Sequence, residues 1–372
     1  MKIASITVDS FDIPLTVPYR LAYGLISETR QYLITLYLDN GMEGYGVGTA
    51  DEHITGETDD SLANILQPMN LSWLIGKDIN DISEISLYIL KKYPKNPGAR
   101  CALDIALHDT YGKYLNKPLI DIFGRCVDSL PTSVTVGICS SEETCVQIES
   151  YLQRGFNEIK VKTGTKLLED IDRIQNIHSH FGFRIGIKID PNMGYNLLEL
   201  KQFLEGTKGI PIQFIEQPLP PKIMPSCSTL ENSYKQKLMV DESLVSYADA
   251  EKILSLPDHF GLMNIKLQKC GGIFPAEKIA TLASKQNKSL MWGCFDESVI
   301  SIASALHIAY SNPATKYLDL DGSFDLKWDF AEGGFTMENG HLILNRQPGL
   351  GVSIKNKAAL KNQDGCGVQS EE

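Results

Sequence analysis

The sequence has little of what marks a membrane or secreted protein. No apolar run approaches the roughly 18–20 residues that a membrane-spanning helix needs. The first residues, MKIASITVDS, lack the basic, apolar and small-residue order of a signal peptide. The 8 cysteines form no CxxC pair, which favours free thiols over a zinc site or a disulfide framework. We therefore predict a cytoplasmic protein with no membrane partner.

Positive charge is scarce as well. The chain has 35 Lys and Arg residues against 46 Asp and Glu residues, which gives a net charge of −11, and it contains no basic cluster. Because a phosphate backbone is bound by clustered cations, nucleic acid is not an expected ligand. The 372 residues are 43% hydrophobic, which is enough for one large folded domain or two.

The first third of the chain changes from a strand pattern to a helix pattern. The segments ASITVDSFDIPL and QYLITLYLDNGMEGYGVG are rich in β-branched and aromatic residues. Within the second of these segments, Asn40-Gly41 predicts a tight hairpin turn with positive φ. From about Ser61 onward, apolar residues recur at helical spacing. We predict an α+β capping domain over residues 1–125.

The middle of the chain repeats a β-then-α unit. Short apolar strand patterns start at intervals of 25 to 27 residues, near Thr132, Glu158, Ile185, Ile212, Lys237, Leu262, Ser289 and Lys316. Helix-like segments fill the gaps, and eight such units are the number that closes a (β/α)8, TIM-like barrel. A doubly wound open sheet is the alternative, but no GxGxxG follows the first strand. We predict an α/β protein with its barrel over residues 126–325.

The last part of the chain returns to β character. The segment FTMENGHLILN contains a second turn signal, Asn339-Gly340, and we expect residues 326–360 to pair back onto the N-terminal strands. The capping domain is then formed from both ends of the chain. Residues 361–372 are polar, and we expect a loose tail.

Strand alternation predicts which side chains enter the barrel. In EIKVK the apolar Ile159 and Val161 must face the outer helices, so Lys160 and Lys162 point inward together. The same alternation sends further charged residues inward from later strands, namely Lys188, Asp190, Glu216, Asp241, Lys266, Asp319 and Asp321. All lie near the carboxyl ends of their strands, where barrel active sites are built. Buried ionisable groups are costly unless they are paired or bind a metal, so as a set they predict a functional site.

Three of these carboxylates predict a metal site. Asp190, Glu216 and Asp241 come from adjacent strands at spacings of 26 and 25 residues, so they converge. Three hard oxygen ligands suit Mg²⁺ better than zinc. We expect one Mg²⁺ per subunit.

Two lysines are expected to flank that metal site from opposite sides of the barrel. Lys162 lies on the second strand and Lys266 on the sixth, with the carboxylate strands between them. A nearby ammonium, that of Lys160, and a dication would lower a lysine pKa toward the range of a general base. This arrangement suits abstraction of a proton α to a carboxylate, with the proton returned from the opposite face.

At these residues the sequence resembles the muconate-lactonizing subgroup of the enolase superfamily. The matching motifs are IKVK, KIDPN, FIEQP, VDES and NIKLQKCGG, in the family's order and over nearly the whole chain. Mandelate-type members use a His on a later strand, whereas Lys266 stands in the base position here. Within the subgroup, DLDG at Asp319–Gly322 resembles the Asp-x-Asp of dipeptide epimerases.

The resemblance implies a role for each of these residues. Lys162 and Lys266 would be the acid/base pair, and Asp190, Glu216 and Asp241 would bind Mg²⁺. Thr135, Lys160, Asp319 and Asp321 would bind substrate, with the two aspartates holding the N-terminal ammonium of an L,L-dipeptide. The reaction would be 1,1-proton transfer at the Cα of the C-terminal residue. By analogy with the family, Lys266 would act on the (S)-epimer and Lys162 on the (R)-epimer.

The resemblance also bears on side-chain preference. Epimerases that act on Ala-Glu carry an Arg in the first capping loop, where this sequence has Gly24. Asp51 in the second capping loop and Asp296 after the seventh strand add negative charge to the predicted pocket mouth. We therefore expect neutral or cationic dipeptides rather than Ala-Glu, bound by a homo-oligomer.

Other functions stay open at this point. Within the subgroup the alternatives are N-acylamino acid racemase/o-succinylbenzoate synthase and muconate cycloisomerase, whose substrates offer no ammonium to Asp319 and Asp321. A Schiff-base aldolase needs a lysine but no carboxylate triad. A non-catalytic binding barrel leaves the paired lysines unexplained. Helix capping is the alternative reading of Asp319 and Asp321.

Overall fold

The computed structural model of the protein describes residues 1–21 and 24–355. The predicted tail of residues 361–372 therefore lies outside the described residues. In the described part, no helix has the length and apolar character needed to cross a membrane.

The chain begins with an antiparallel sheet of three strands, β1 (Ile3–Leu21), β2 (Gly24–Leu38) and β3 (Glu43–Gly48). The predicted turn joins β2 to β3, and Gly41 has the expected positive φ of 84°. Asn40 instead contributes its side chain, whose Oδ1 accepts a hydrogen bond from the Met42 amide at 3.0 Å. The sheet follows the predicted β-rich start of the chain.

Five α-helices follow the sheet, as the helical spacing predicts: α1 (Glu52–Thr55), α2 (Asp59–Ile65), α3 (Ile82–Lys92), α4 (Pro97–Tyr114) and α5 (Leu119–Phe123). Short 3-10 helices cover Pro68–Leu74 and Ile79–Asp81. Helix α4 packs against β2 and β3 through small residues such as Ala99, Ala102 and Ala106, all fully buried. This contact forms a core separate from that of the barrel.

Eight parallel strands form the barrel. After the short β4 (Leu130–Pro131), they are β5 (Ser133–Val136), β6 (Glu158–Lys162), β7 (Gly186–Asp190), β8 (Ile212–Glu216), β9 (Leu238–Val240), β10 (Leu262–Lys266), β11 (Ser289–Gly293) and β12 (Thr315–Asp319). They lie in sequence order, and a bridge between Thr132 and Leu318 brings the last strand back to the first. The predicted TIM-like barrel is confirmed, with every strand starting within one residue of its predicted position.

Helices cover the outside of the barrel: α6 (Ser141–Gln153), α7 (Leu167–Phe181), α8 (Leu197–Gly206), α9 (Asn232–Lys235), α10 (Tyr247–Leu254), α11 (Leu267–Cys270), α12 (Ile273–Lys285) and α13 (Val299–Tyr310). Three further 3-10 helices cover Gly182–Arg184, Met224–Thr229 and Gly322–Phe324. The repeat is less regular than eight identical units. Only a 3-10 turn and the four-residue α9 lie between β8 and β9.

The C-terminal return pairs differently from the prediction. Strands β14 (Phe335–Glu338) and β15 (His341–Leu344) form the hairpin signalled by Asn339-Gly340, whose residues both have positive φ. This hairpin pairs with β4 at the barrel entry and not with the N-terminal sheet, so the predicted pairing was wrong. The remaining strands, β13 (Ala331–Gly333) and β16 (Val352–Ile354), pair with each other.

The N-terminal sheet contacts residues 325–330, which precede the C-terminal strands β13 to β16. The amide of Thr16 donates to the carbonyl of Asp325 at 2.7 Å, and that of Lys327 donates to Pro14 at 2.9 Å. The ring of Phe11 stacks on Phe330 at 4.8 Å. Residues 325–330, rather than the later hairpin, therefore contact the N-terminal sheet.

Candidate active site

The inward side chains follow the predicted alternation. Ile159 and Val161 are fully buried in the core between strands and helices, while Lys160 and Lys162 point into the barrel. Lys188 also points inward and is 1% exposed, with its Nζ 2.8 Å from Ser133 Oγ. Its neighbours Phe214 and Tyr317 belong to a small apolar layer inside the barrel.

Lys160 lies at the centre of the buried charges. Its ammonium contacts Asp190 Oδ2 at 3.0 Å, Glu216 Oε2 at 2.9 Å and Asp319 Oδ2 at 2.8 Å. In each of these four residues, no more than 7% of the side chain is exposed. These carboxylates, from β7, β8 and β12, therefore converge on one cation, whereas the predicted set had Asp241 in the place of Asp319.

The other two lysines lie at different carboxylates. Lys162 Nζ is 2.8 Å from Asp190 Oδ2 and donates to Asn192 Oδ1 at 2.7 Å. Lys266 Nζ is 3.1 Å from Asp241 Oδ2, and both side chains are mostly buried. The predicted order holds: Lys162 and Lys266 lie at the two ends of a carboxylate series that runs from Asp190 through Glu216 to Asp241.

Charge and burial perturb the titration of these groups. Burial would raise the pKa of Asp190 and of Asp241, but the adjacent ammonium groups outweigh it and hold both pKa values well below the usual range. Burial raises the pKa of Glu216 to about 8, because the charges of Asp190 and Asp241 add to the effect and offset Lys160. The middle carboxylate is thus the hardest of the three to ionise.

The protein's own carboxylates raise the pKa values of Lys160 and Lys266, whereas the predicted lowering depends on a nearby dication. Burial lowers the pKa of Lys266, but Asp241 and other carboxylates raise it by a larger amount. The pKa of Lys266 therefore lies above its ordinary value. The pKa of Lys160 is raised well above the ordinary value in the same way, by Asp190, Asp319 and Glu216. The protein's own groups therefore hold these lysines charged, because each ammonium touches a carboxylate directly.

Asp319 and Asp321 stand together at the end of β12. Asp319 Oδ1 is buried and has no hydrogen-bond partner among the described residues. Burial, with the charges of Asp319 and Asp325, raises the pKa of Asp321 well above its usual range. Asp321 occupies the N-cap of a 3-10 helix but makes no capping hydrogen bond there, so capping does not account for it.

The remaining predicted substrate residues have mixed surroundings. Thr135 is half-buried on β5, in register with Lys160 on β6. Asp51 Oδ1 accepts the Ile54 amide at 2.9 Å as the N-cap of α1, which gives this residue a structural role. Asp296 is half-buried in the loop after β11. Gly24 pairs with Leu21 at the start of β2, while the side chains of residues 19–25 lie outside the description.

Sequence reasoning missed several residues that hold the site. Asn264 Nδ2 donates to Glu216 Oε1 at 2.7 Å, and strand alternation from Lys266 was a signal that could have found it. Lys269, in the short helix α11, is fully buried and bonded to Asp241 Oδ1. Asn192 contacts Lys162, as described above. The last two lie outside strands, where alternation gives no information.

The carboxylates fit a divalent cation by their chemistry. Among the described residues, no three acidic, His or Cys side chains stand in a ready-made metal cluster, and the ammonium of Lys160 lies between Asp190 and Glu216. Asp190 Oδ2 and Glu216 Oε2 therefore already contact a buried positive charge. Three carboxylates from adjacent strands are the hard donors that Mg²⁺ prefers.

Two family models match the chain. The model described as mandelate racemase/muconate lactonizing enzyme, N-terminal domain, matches residues 3–124. The model described as enolase C-terminal domain-like matches residues 143–358. The two matches cover the N-terminal sheet and helices and most of the barrel.

Similar proteins are epimerases. An L-Lys-D/L-Arg epimerase of Desulforapulum autotrophicum is 43% identical over 95% of this chain and 99% of its own. One from Methylococcus capsulatus is 42% identical with the same coverage. A crystal structure of a dipeptide epimerase from Methylococcus capsulatus, complexed with Mg and the dipeptide L-Arg-D-Lys, superposes with a TM-score of 0.93 at 42% identity. It covers 95% of this chain and 99% of that chain.

Proposed function

The chain belongs to the mandelate racemase/muconate lactonizing enzyme group of the enolase superfamily, and we propose that it epimerises dipeptides with cationic side chains. It is an isomerase that acts on amino acid derivatives. One observation of the structure carries the mechanism: two lysines, Lys162 and Lys266, stand at opposite ends of a buried carboxylate series. The cationic form of the expected preference over Ala-Glu is supported by relatives that are named L-Lys-D/L-Arg epimerases and by the structure complexed with L-Arg-D-Lys.

Asp190, Glu216 and Asp241 would hold the Mg²⁺ ion. The ion supplies positive charge beside the substrate carboxylate, where negative charge develops when the α-proton leaves. The hydrogen bond from Asn264 orients Glu216, and the bond from Lys269 orients Asp241. The ammonium of Lys160, in the same buried region, provides a second positive charge for that carboxylate.

Lys162 and Lys266 would transfer the proton. One lysine removes the α-proton from one face of the Cα, and the other delivers a proton to the opposite face, which inverts the configuration. For the reverse reaction they exchange roles. The neutral form that a base requires is rare for Lys266 while its ammonium touches Asp241, so substrate and metal would have to change this contact before reaction.

Asp319 and Asp321 would bind the N-terminal ammonium of the dipeptide. Asp319 offers a buried oxygen without a partner among the described residues, and burial together with the charges of Asp319 and Asp325 raises the pKa of Asp321. An ammonium between them relieves that repulsion. Thr135 lies on the adjacent strand and would contact the same substrate.

Asp296 and Asp51, with Gly24, remain our proposal for recognition of the cationic side chains. Asp296 lies in the loop that β2 contacts, so it is placed between the barrel and the N-terminal sheet. We also infer a cytoplasmic location, which the seven free cysteines of the described residues support, and a homo-oligomeric state.

A substrate panel tests the proposal. L-Lys-L-Arg, L-Arg-L-Lys, L-Ala-L-Ala and L-Ala-L-Glu are incubated in D2O with Mg²⁺, and deuterium at the C-terminal Cα is followed by NMR. We expect the highest kcat/KM for the cationic dipeptides. A preference for L-Ala-L-Glu, or no exchange with any dipeptide, contradicts the proposal.

Metal removal and lysine variants test the mechanism. Chelation with EDTA should abolish turnover, and added Mg²⁺ should restore it. Lys162→Ala and Lys266→Ala should each abolish epimerisation, because each removes the proton donor or acceptor on one face. Full epimerisation by either variant refutes the two-base scheme.

A further inference from the structure

Two charged residues interrupt the barrel-facing stripe of helix α7. The buried positions of this helix are Asp170, Arg173, Ile174, Ile177 and Phe181, which follow helical spacing. Asp170 and Arg173 are 2% and 3% exposed and lie in the N-terminal half of the helix. Apolar residues there would pack at least as stably as a buried ion pair, so stability alone does not explain them.

The guanidinium of Arg173 holds the end of strand β6. Nη2 donates a hydrogen bond to the carbonyl of Lys162 at 2.5 Å, and Nη1 donates to the carbonyl of Cys139 at 3.1 Å. Nη2 also contacts Asp170 Oδ1 at 3.1 Å. Arg173 therefore fixes the backbone of the residue that carries one of the two proposed bases.

Asp170 makes further hydrogen bonds to the loops that follow β6 and β7. Its Oδ2 accepts hydrogen bonds from the Gly164 amide at 2.8 Å and from the Tyr195 hydroxyl at 2.9 Å. Gly164 follows Lys162 by two residues, and Tyr195 belongs to the loop after β7. Gly164 has a φ of 96°, and a Cβ there would lie 2.3 Å from the Pro191 carbonyl, so the turn has little freedom.

These contacts act on one side of the site only. Among the described residues, the hydrogen-bond partners of Arg173 lie on β6, α7 and the loop after β5, and not on β10, which carries Lys266. Lys266 is placed instead beside Asp241, whose other oxygen binds Lys269. The two bases thus have separate supports.

We propose that Arg173 is a positioning residue for Lys162, and that it acts selectively on the half-reaction in which Lys162 removes the α-proton. The proposal rests on the two-base function proposed above. A guanidinium with two donating nitrogens can hold two carbonyls and a carboxylate at once, whereas a lysine ammonium in its place reaches fewer of them in that geometry. A small displacement of a base costs orders of magnitude in rate, because proton transfer requires close alignment.

Deuterium exchange tests this selectivity. L-Lys-L-Arg and L-Lys-D-Arg are incubated separately in D2O with the Mg²⁺-loaded enzyme, and α-proton loss is measured before epimerisation accumulates. Lys162→Ala serves as the reference, since it should lose exchange with one epimer only. In Arg173→Lys, exchange of that same epimer should fall about tenfold or more, and exchange of the other should change less than about twofold.

Two further variants separate positioning from general destabilisation. Ile174→Val removes one methyl group from the same buried stripe and should leave the ratio of the two exchange rates unchanged. Tyr195→Phe removes only the hydroxyl on Asp170 and should shift the ratio in the direction of Arg173→Lys, by less. This variant preserves the test if Arg173→Lys does not fold.

The outcomes distinguish the inference from the function on which it rests. If Lys162→Ala lowers exchange of both epimers equally, the two-base scheme fails and the inference fails with it. If Lys162→Ala is selective but Arg173→Lys lowers both rates equally, or changes neither, the scheme stands and the role of Arg173 is refuted. A selective loss that matches Lys162→Ala supports the inference.

Discussion

At the scale of single residues, the site consists of cations and carboxylates in direct contact. Lys160 touches three carboxylates, and Lys162 and Lys266 each touch one. Removing so many charges from water is costly even when they are paired, so their concentration in the barrel reflects chemistry more than stability. Asp321 differs from the rest because burial and the charges of Asp319 and Asp325 outweigh the effect of Lys160 on its pKa.

Asp321→Asn should weaken dipeptide binding selectively. Loss of one charge from a desolvated ammonium contact corresponds to roughly 1.5–3 kcal/mol, so KM for L-Lys-L-Arg should rise about 10- to 100-fold. Steady-state kinetics measure the change. N-acetyl-L-Lys-L-Arg, which has no ammonium, is the control: the wild type should use it poorly, and the variant should use it no worse. If the KM for the free dipeptide is unchanged in Asp321→Asn, Asp321 does not bind the ammonium.

At the scale of elements, two close contacts depend on unusual residues. Strand β3 approaches helix α4 through glycines: a Cβ at Gly46 would lie 2.0 Å from the Ala102 carbonyl. Helix α13 is almost entirely buried and contains His307, whose Nδ1 accepts the Ile120 amide of α5 at 3.0 Å. Each contact is local in space but joins separate parts of the chain.

Gly46→Ala should destabilise the protein because the added methyl group overlaps the backbone of α4. Overpacking of this kind costs about 1–3 kcal/mol in the free energy of unfolding. Urea denaturation measures the loss. Gly137→Ala is the matched control, since its Cβ would meet no atom within 4 Å, and its stability should stay close to that of the wild type. Equal stability of the two variants contradicts the close-packing argument.

His307 should make stability depend on pH. Burial lowers its pKa to about 3 from the ordinary value of 6.5. Between these values the unfolded chain takes up a proton that the folded protein does not, so the contribution is complete above about pH 6.5 and is lost as pH falls. His307→Asn keeps an acceptor for the Ile120 amide but does not titrate. Its urea midpoint should therefore fall less steeply than that of the wild type between pH 7 and pH 4, and parallel curves would contradict this account.

At the scale of the whole molecule, buried amides join the N-terminal sheet to the barrel loops. Gln31 on β2 is fully buried: its Nε2 donates to the Asp296 carbonyl at 3.2 Å, and its Oε1 accepts the Ser298 amide at 2.9 Å. Gln268, two residues after Lys266, accepts the Thr49 amide at 3.2 Å and donates to the Val47 carbonyl at 3.1 Å. The sheet thereby holds helix α11, which follows β10, and the loop after β11.

Gln31→Met should loosen this junction. It leaves the Ser298 amide and the Asp296 carbonyl with one bond fewer in a buried position, a cost of about 1–3 kcal/mol for each group left unsatisfied. We expect a lower free energy of unfolding and a higher KM for cationic dipeptides, measured by denaturation and kinetics. Gln175→Met, which removes an exposed amide that donates to the Gly206 carbonyl, should change neither. If Gln31→Met keeps the wild-type KM, the N-terminal sheet does not affect substrate recognition through this junction.

Much of the fold and part of the site could be predicted from local patterns. Spacing predicted the eight barrel strands, and alternation predicted that Lys160, Lys162 and Asp190 point inward, since both depend only on residues close in sequence. The hairpin at Asn339-Gly340 was predicted for the same reason, but its partner was not. It pairs with β4, far earlier in the chain, which is a property of the assembled chain and not of the local pattern.

The sequence by itself determined the strand count, the inward faces and the residue types of the site, because chain geometry makes these periodic. Only the tertiary structure decided which charges meet. The contact of Lys160 with Asp319 joins residues 159 positions apart, and it exists because the barrel brings its last strand beside its first. The bond from Arg173 to the Lys162 carbonyl and that from Lys269 to Asp241 likewise arise where a helix end reaches a strand end. No local pattern records such contacts, because they depend on how elements pack rather than on how each one forms.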